Sequence, residues 1–148
     1  MKIIHIINSL KKGGAEGNLY RLTKFHKKKY QKGINIIIVT LIDNGFYEND
    51  LKKDGIKVFS LGFRKKNNYI ELIKKILKFR EFIKREKPDI IQSWMYHSNF
   101  LTIFIPRIFS NNIFWNIRHS VLNFKMSKKT TILVSIFCAI FSRYFPKK

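Results

Sequence analysis

The sequence predicts an α/β protein with a doubly wound parallel sheet and helices on both faces of that sheet. Along the 148 residues, short apolar runs alternate with longer segments whose apolar residues recur at helical spacing. The short runs are nearly continuous in Ile and Val, as is typical of parallel strands that are covered on both faces. A chain of this length most simply forms one domain.

The first strand and the turn after it lie in residues 2–16, with the sequence KIIHIINSLKKGGAE. Gly13 and Gly14 allow the backbone to turn sharply before a helix that is predicted to run to about Lys28. A strand, a glycine turn and a helix N-terminus together form a place where an anion can bind. The pattern is neither a dinucleotide fingerprint nor a P-loop, and such a glycine pair is often only a turn. Both interpretations stay open on local grounds.

The remaining elements follow from the same periodicity. A loop is expected at 95–99, after the fourth strand at 90–94. Pro88 ends the helix predicted at 69–86, which precedes that strand. The apolar stripe of this helix is predicted to comprise Ile70, Ile73, Ile76, Leu77, Phe79 and Ile83. Further strands are predicted at 34–41, 56–61, 90–94 and 113–117, and further helices at 46–54, 69–86, 100–109 and 130–144.

The expected strand order places the first strand centrally, with strands two and three on one side and four and five on the other. The order then switches between strands one and four, and ligands of such sheets bind at the carboxyl ends of the strands near the switch. Three polar features fall on that edge: the Gly13-Gly14 turn, the loop 95–99, and the Arg118-His119-Ser120 cluster. Their coincidence predicts a ligand site there.

Each polar cluster has a structural and a functional interpretation. His97 suits a hydrogen bond to a sugar or phosphate, or a role as general base. Asn99 suits either an acceptor contact or the N-cap of the following helix, and the local chemistry favours the cap. Tyr96 fits either the core or the recognition of a sugar or lipid. Arg118 beside His119 suits a phosphate next to a sugar hydroxyl, which favours function for this pair.

Charge and cysteine content exclude several classes of function. The net charge is +21, from 30 basic and 9 acidic residues, and 23 of the basic residues are Lys. A lysine excess gives a general attraction to anions, whereas reading of base edges favours Arg, so we expect no specific nucleic-acid partner. No Cys/His spacing predicts a metal site, and the lone Cys138 excludes a disulfide framework. With no leader or spanning segment expected, the prediction is a cytoplasmic protein.

Five stretches in order carry a resemblance to a known family: KIIHII, the Gly13-Gly14-Ala15-Glu16 turn, KPDII before strand four, WMYHSN after it, and NIRHS after strand five. Together they resemble the N-terminal domain of family 4 glycosyltransferases of the GT-B fold, across residues 1–148. The resemblance implies a Rossmann-like acceptor-side domain of a retaining enzyme that needs neither cofactor nor metal. The co-substrate would be a nucleotide-sugar, and the acceptor a surface glycan or a lipid-linked glycoconjugate.

The resemblance also implies roles for individual residues. Gly13, Gly14 and Arg118 would bind the donor diphosphate, and His119 would contact the donor sugar near the reacting centre. The acceptor-side candidates would be Tyr96, His97, Asn99 and Ser120.

The second, donor-binding domain of the family has no counterpart in these residues, so activity is expected only with such a domain. The alternative is a non-catalytic remnant or a module that binds an anionic partner or membrane. The apolar helix 130–144 either packs on the sheet or rests on the inner face of the cell membrane.

Overall fold

A computed structural model describes residues 1–30, 33–106, 112–117 and 129–146. The described strands form one parallel sheet in the order β3-β2-β1-β4-β5, which confirms the predicted order. The strands are β1 (Lys2–Ile7), β2 (Asn35–Thr40), β3 (Lys57–Ser60), β4 (Ile90–Trp94) and β5 (Ile113–Asn116). The helices are α1 (Gly14–Lys29), α2 (Glu48–Lys53), α3 (Tyr69–Glu86), α4 (Met95–Thr102) and α5 (Lys129–Phe141).

Helices cover both faces of the sheet, as the continuous apolar strands predict. Ile4 and Ile6 of β1 belong to the core beneath α3 and α4, which also holds Phe79 and Leu101. Ile7 belongs to a second core, formed with residues of α1 and α2 such as Leu19 and Leu51. Since side chains alternate between the faces of a strand, β1 contributes to both cores and is central to each. The result is a doubly wound, Rossmann-like α/β fold.

Helix α3 has the predicted bounds because both of its ends carry strong local signals. At the start, the Asn68 side chain accepts a hydrogen bond from the Glu71 backbone N–H at 2.8 Å. At the end, Lys87 adopts a left-handed conformation with φ of 46°, and Pro88 follows it. These two signals determine where the helix begins and ends.

The predicted buried stripe of α3 is wrong in part. Phe79 and Ile83 are buried as expected. In contrast, Ile70, Ile73 and Leu77 are 64%, 57% and 50% exposed, on the face of the helix turned away from the sheet. The helix has two apolar faces, and the bulkier one packs inward, where the ring of Phe82 stacks on Phe59 with centroids 4.1 Å apart.

The loop predicted at 95–99 and the helix predicted at 100–109 are also wrong. Helix α4 begins at Met95, directly after β4, and ends at Thr102. Met95 has φ of 71°, a left-handed conformation that turns the chain from strand to helix in a single residue. A non-glycine residue in that conformation gives no sequence signal, so the polar segment resembled a loop.

Helix α5 packs on α4 rather than mainly on the sheet, which corrects one interpretation of the last helix. The rings of Phe100 and Phe137 lie 6.1 Å apart, and the Cys138 thiol donates a hydrogen bond to the Tyr96 carbonyl at 3.4 Å. Burial raises the pKa of Cys138 to about 11, so the thiol stays protonated and serves packing. None of the described helices is long and apolar enough to cross a bilayer.

Candidate functional site

The candidate site lies at the carboxyl edge of the sheet, around the switch point between β1 and β4. From the end of β1 the chain passes to α1 on one face of the sheet, and from the end of β4 it passes to α4 on the other. The two connections therefore diverge and leave a crevice between them, where ligands of doubly wound sheets bind. The loop between β3 and α3 borders the same edge.

A cavity of about 390 Å³ occupies this edge on the α3 and α4 side. Its volume is within the range of small-molecule sites, and its wall is largely apolar. Four polar residues, Asn8, Arg64, Lys65 and His97, belong to the lining, although the surface that faces the cavity is almost entirely apolar. The apolar lining residues are Leu41, Ile42, Phe63, Leu72, Ile76, Phe100, Leu101 and Phe104. This lining suits the apolar portion of a ligand, and the exposed basic residues 64–66 of the loop between β3 and α3 lie beside it.

Basic side chains concentrate on two loops of this edge. Lys11 and Lys12 are exposed in the loop between β1 and α1, and Arg64, Lys65 and Lys66 are exposed in the loop between β3 and α3. The Lys12 ammonium lies 4.4 Å from the centre of the Phe46 ring. Several positive charges around one crevice raise the local concentration of anionic ligands.

The glycine turn lies at the N-terminus of α1. Gly13 is the N-cap in an extended conformation, with φ of −170° and ψ of 167°, and Gly14 is the first helical residue. A methyl group added at Gly13 would collide with the Glu16 carboxylate, whereas one added at Gly14 would meet open space. The helix N-terminus is therefore approachable from the Gly14 side, while the Glu16 side chain lies over Gly13.

Of the acceptor candidates on α4, His97 is the one that lines the cavity. Tyr96 is 8% exposed and Asn99 is fully buried, and neither belongs to the cavity lining. The sequence placed all three together after β4, but the helical start at Met95 separates them onto different sides of α4.

Asn99 joins α4 to the neighbouring strands. Its side-chain oxygen accepts a hydrogen bond from the Ser93 hydroxyl of β4 at 2.7 Å, and its backbone carbonyl accepts one from Thr102 at 2.6 Å. The Thr102 hydroxyl in turn accepts one from the Trp115 indole of β5 at 2.8 Å. Asn99 is not a helix N-cap, because it is the fifth residue of α4, and its burial points to a structural role.

The third predicted cluster, Arg118, His119 and Ser120, lies outside the described residues. Strand β5 ends at Asn116, which is the register partner of Trp94, the last residue of β4. The described part of β5 therefore ends at the carboxyl edge, level with the start of α4. Among the described residues, no group of three or more His, Cys, Asp or Glu side chains is placed to hold a metal ion.

His5 is a buried polar residue whose importance the sequence did not reveal. It lies in the middle of β1, 2% exposed, and its Nδ1 accepts a hydrogen bond from the Trp94 indole at 3.5 Å. Burial, assisted by the positive charge of His26, lowers the pKa of His5 to about 4, against a weaker upward contribution from Gln92. A histidine inside an isoleucine-rich strand carries no spacing signal, so only the fold shows this pairing.

We predict that stability falls on mild acidification because of His5. In the unfolded chain its pKa is the ordinary 6.5, so the unfolded state binds more protons than the folded state between pH 6.5 and about 4. The free energy of unfolding should therefore decrease by about 2 kcal/mol between pH 7.5 and pH 5. Urea denaturation at several pH values measures this change. His5→Gln should remove most of the pH dependence, and an unchanged slope in that variant would contradict the assignment.

Comparison with solved structures identifies the architecture. HepE of Anabaena in complex with UDP superposes with a TM-score of 0.67 at 17% sequence identity, over 94% of this chain and 35% of that one. A glycosyltransferase from Rickettsia africae gives 0.59 at 17% identity, over 97% of this chain and 34% of that one. The chain has the Rossmann-like fold of one part of these GT-B proteins. UDP-N-acetylglucosamine 2-epimerase from Rickettsia bellii gives 0.55 at 18% identity, over 99% and 37% of the two chains.

Because the sequence identities are low, these similarities establish the fold and not the function. The chain spans about a third of the length of the structures that it matches. No protein-family model matches the sequence, and no curated protein matches it by sequence.

Proposed function

We propose that this chain is the acceptor-side domain of a retaining glycosyltransferase that uses a nucleotide-sugar donor and needs no metal. The acceptor is a surface glycan or lipid-linked glycoconjugate, and transfer requires a donor-binding domain. The observation that carries the proposal is the cavity at the carboxyl edge, which is lined by His97 and bordered by basic loops. The Rossmann-like fold that the chain shares with part of UDP-bound HepE supports it.

The proposed roles divide the edge between the two substrates. Gly14, at the approachable N-terminus of α1, and Gly13 beside it receive the donor diphosphate together with Arg118. His119 contacts the donor sugar at the reacting centre. His97 and Ser120 bind the acceptor, while Tyr96 and Asn99 support the shape of α4 from within the protein.

The cavity favours an amphiphilic acceptor. Its apolar wall can receive a short stretch of hydrocarbon chain, because burying apolar surface there removes it from water. Arg64 and Lys65 at the same cavity suit a phosphate that joins a lipid to a sugar. A free neutral sugar would leave most of this apolar wall in contact with water, so a lipid-linked acceptor uses the cavity better.

The same cavity favours transfer over epimerisation, the other activity named among the structural neighbours. An epimerase changes a single nucleotide-sugar and needs no second substrate. An apolar cavity beside the proposed donor crevice has no use in that reaction, whereas a transferase requires a place for its acceptor.

Leu72→Trp tests whether the cavity binds an amphiphile. Leu72 lines the cavity and is half-buried, so an indole at this position fills space without disturbing the core beneath α3. We expect the affinity for a short-chain polyprenyl phosphate, kept below its micelle-forming concentration, to fall about tenfold or more, since the hydrocarbon loses its place. Isothermal titration calorimetry on this chain measures the dissociation constant.

Leu77→Trp is the matched control, because Leu77 lies on the same helix but faces away from the sheet and is 50% exposed. It should bind the amphiphile as the wild type does. Equal affinity in the wild type and in Leu72→Trp would contradict the cavity as the acceptor site.

A further inference from the structure

The outward face of α3 carries an apolar stripe that no part of the described structure covers. Ile70, Ile73 and Leu77 are three and four residues apart, so they form one line along the helix, and each is at least half exposed. Tyr69, at the start of the same helix, is 86% exposed. We call Ile70, Ile73 and Leu77 the outer stripe. Single apolar residues scattered over a surface are normal, but four large exposed side chains on one helix form a patch of the kind that marks an interaction site.

Positive charge surrounds the outer stripe. Residues 64–87 contain ten basic and three acidic side chains. Lys66, Lys74 and Lys84 are exposed around the stripe. Glu86, one of the three acidic residues, is turned toward the sheet, where it forms ion pairs with Lys2 at 3.2 Å and with Lys57 at 2.5 Å. Glu71 and Glu81 are exposed on the same helix, and Glu81 lies one turn after Leu77, so the charge around the stripe is positive on balance.

This combination selects an anionic bilayer over other occupants. A second copy of this chain would bring together two bodies that each carry +21, so repulsion opposes that contact. A helix with an apolar line between lysines matches an interfacial helix, whose apolar side enters the lipid while its lysines meet the headgroup phosphates. Exposed tyrosine is also typical of the boundary between lipid and water.

We infer that the outer stripe of α3 is a membrane-contact surface, which holds the protein on an anionic bilayer with α3 parallel to the membrane plane. The helix does not span the bilayer, because its other face is the core-facing side with Phe79, Phe82 and Ile83. Leu72 and Ile76 of the same helix line the cavity, so the contact brings the cavity close to the lipid. The inference itself requires no catalytic activity.

Co-sedimentation of this chain with vesicles tests the surface. We expect binding to equimolar phosphatidylcholine and phosphatidylglycerol at physiological salt, and little binding to phosphatidylcholine alone. Replacing the stripe by Ile70→Gln, Ile73→Gln and Leu77→Gln together should lower the partition coefficient about tenfold or more, because these variants bury no apolar side chains in the lipid while the charge is unchanged. The replaced side chains are exposed, so the fold should persist and circular dichroism can confirm it.

Phe25→Gln is the matched control. Phe25 is 54% exposed, comparable with the stripe residues, but it lies on α1 at the opposite face of the sheet. Its binding should equal that of the wild type. A second comparison, Leu133→Gln with Ile140→Gln, removes exposed apolar residues of α5. Loss of binding in the α5 variant but not in the stripe variant would overturn the inference, and so would equal loss in the Phe25 variant.

Insertion into lipid gives an independent readout. Ile73→Trp keeps the stripe apolar and places an indole in it, so brominated lipids should quench its fluorescence beyond the level seen with the native Trp94 and Trp115. Phe25→Trp should show no such additional quenching. Binding without quenching of Ile73→Trp would show adsorption by charge alone and would also overturn the inference.

Discussion

Phe79→Ala is expected to lower the free energy of unfolding by about 3–5 kcal/mol, whereas Leu77→Ala, two residues earlier, should change it by less than about 0.5 kcal/mol. Phe79 is fully buried in the core between α3 and the sheet, so truncation leaves a cavity that neighbouring side chains fill only in part. Leu77 is 50% exposed on the outward face of the same helix. The two replaced residues lie on the same helix, α3, and differ in how deeply their side chains are buried.

Urea denaturation of the two variants at neutral pH measures the difference. Both replacements introduce alanine, which favours helix, so propensity cannot explain a loss of stability in one variant only. Similar losses in both variants would contradict the orientation of α3, with Phe79 inward and Leu77 outward. Such a result would also remove the basis for the outer stripe as a free surface.

The strand order and most helix bounds could be predicted because they follow from local signals and from rules of connection. Alternating strands and helices in this chain permit few topologies once crossovers are right-handed. The bounds of α3 were predictable because Asn68 and Pro88 mark its ends. The expected location of the candidate site followed from the same topology, since the parallel strand direction defines the carboxyl edge and the strand order defines the switch point.

The face of α3 that packs on the sheet could not be predicted, because the helix is apolar on two sides. Ile70, Ile73 and Leu77 satisfy helical periodicity as well as Phe79 and Ile83 do. The choice between the sides depends on Phe59 and the rest of the sheet, which lie far away in sequence. Periodicity identifies each apolar face of the helix but does not determine which of them packs on the sheet.

The details of the site depended on features that leave no sequence signal. Because Met95 adopts a left-handed conformation, α4 begins directly after β4. As a result, Asn99 is buried and His97 lies at the cavity. Gly45 is a similar case, because a methyl group added there would collide with the backbone of Leu10 in the loop between β1 and α1. Both positions shape the carboxyl edge through interactions that only the folded chain makes.

In the proposed transferase, which joins this chain to a donor-binding domain, His119→Ala is expected to lower kcat by about 10²–10⁴-fold. An imidazole at the reacting centre contributes only as the transition state forms, so its loss should affect kcat more than KM. His97→Ala should instead raise KM for the acceptor, because His97 lines the cavity that we propose binds the acceptor. Initial rates at varied acceptor concentration separate the two effects.

His26→Ala is the matched histidine control and should leave both constants unchanged. His26 lies in the last turn of α1, at the amino edge of the sheet, because α1 runs antiparallel to the strands and begins at the carboxyl edge. A wild-type rate in His119→Ala would exclude this residue from the reaction. A change in kcat alone for His97→Ala would move that residue from acceptor binding to the chemical step, since a side chain that stabilises the ground and transition states equally affects KM and not kcat.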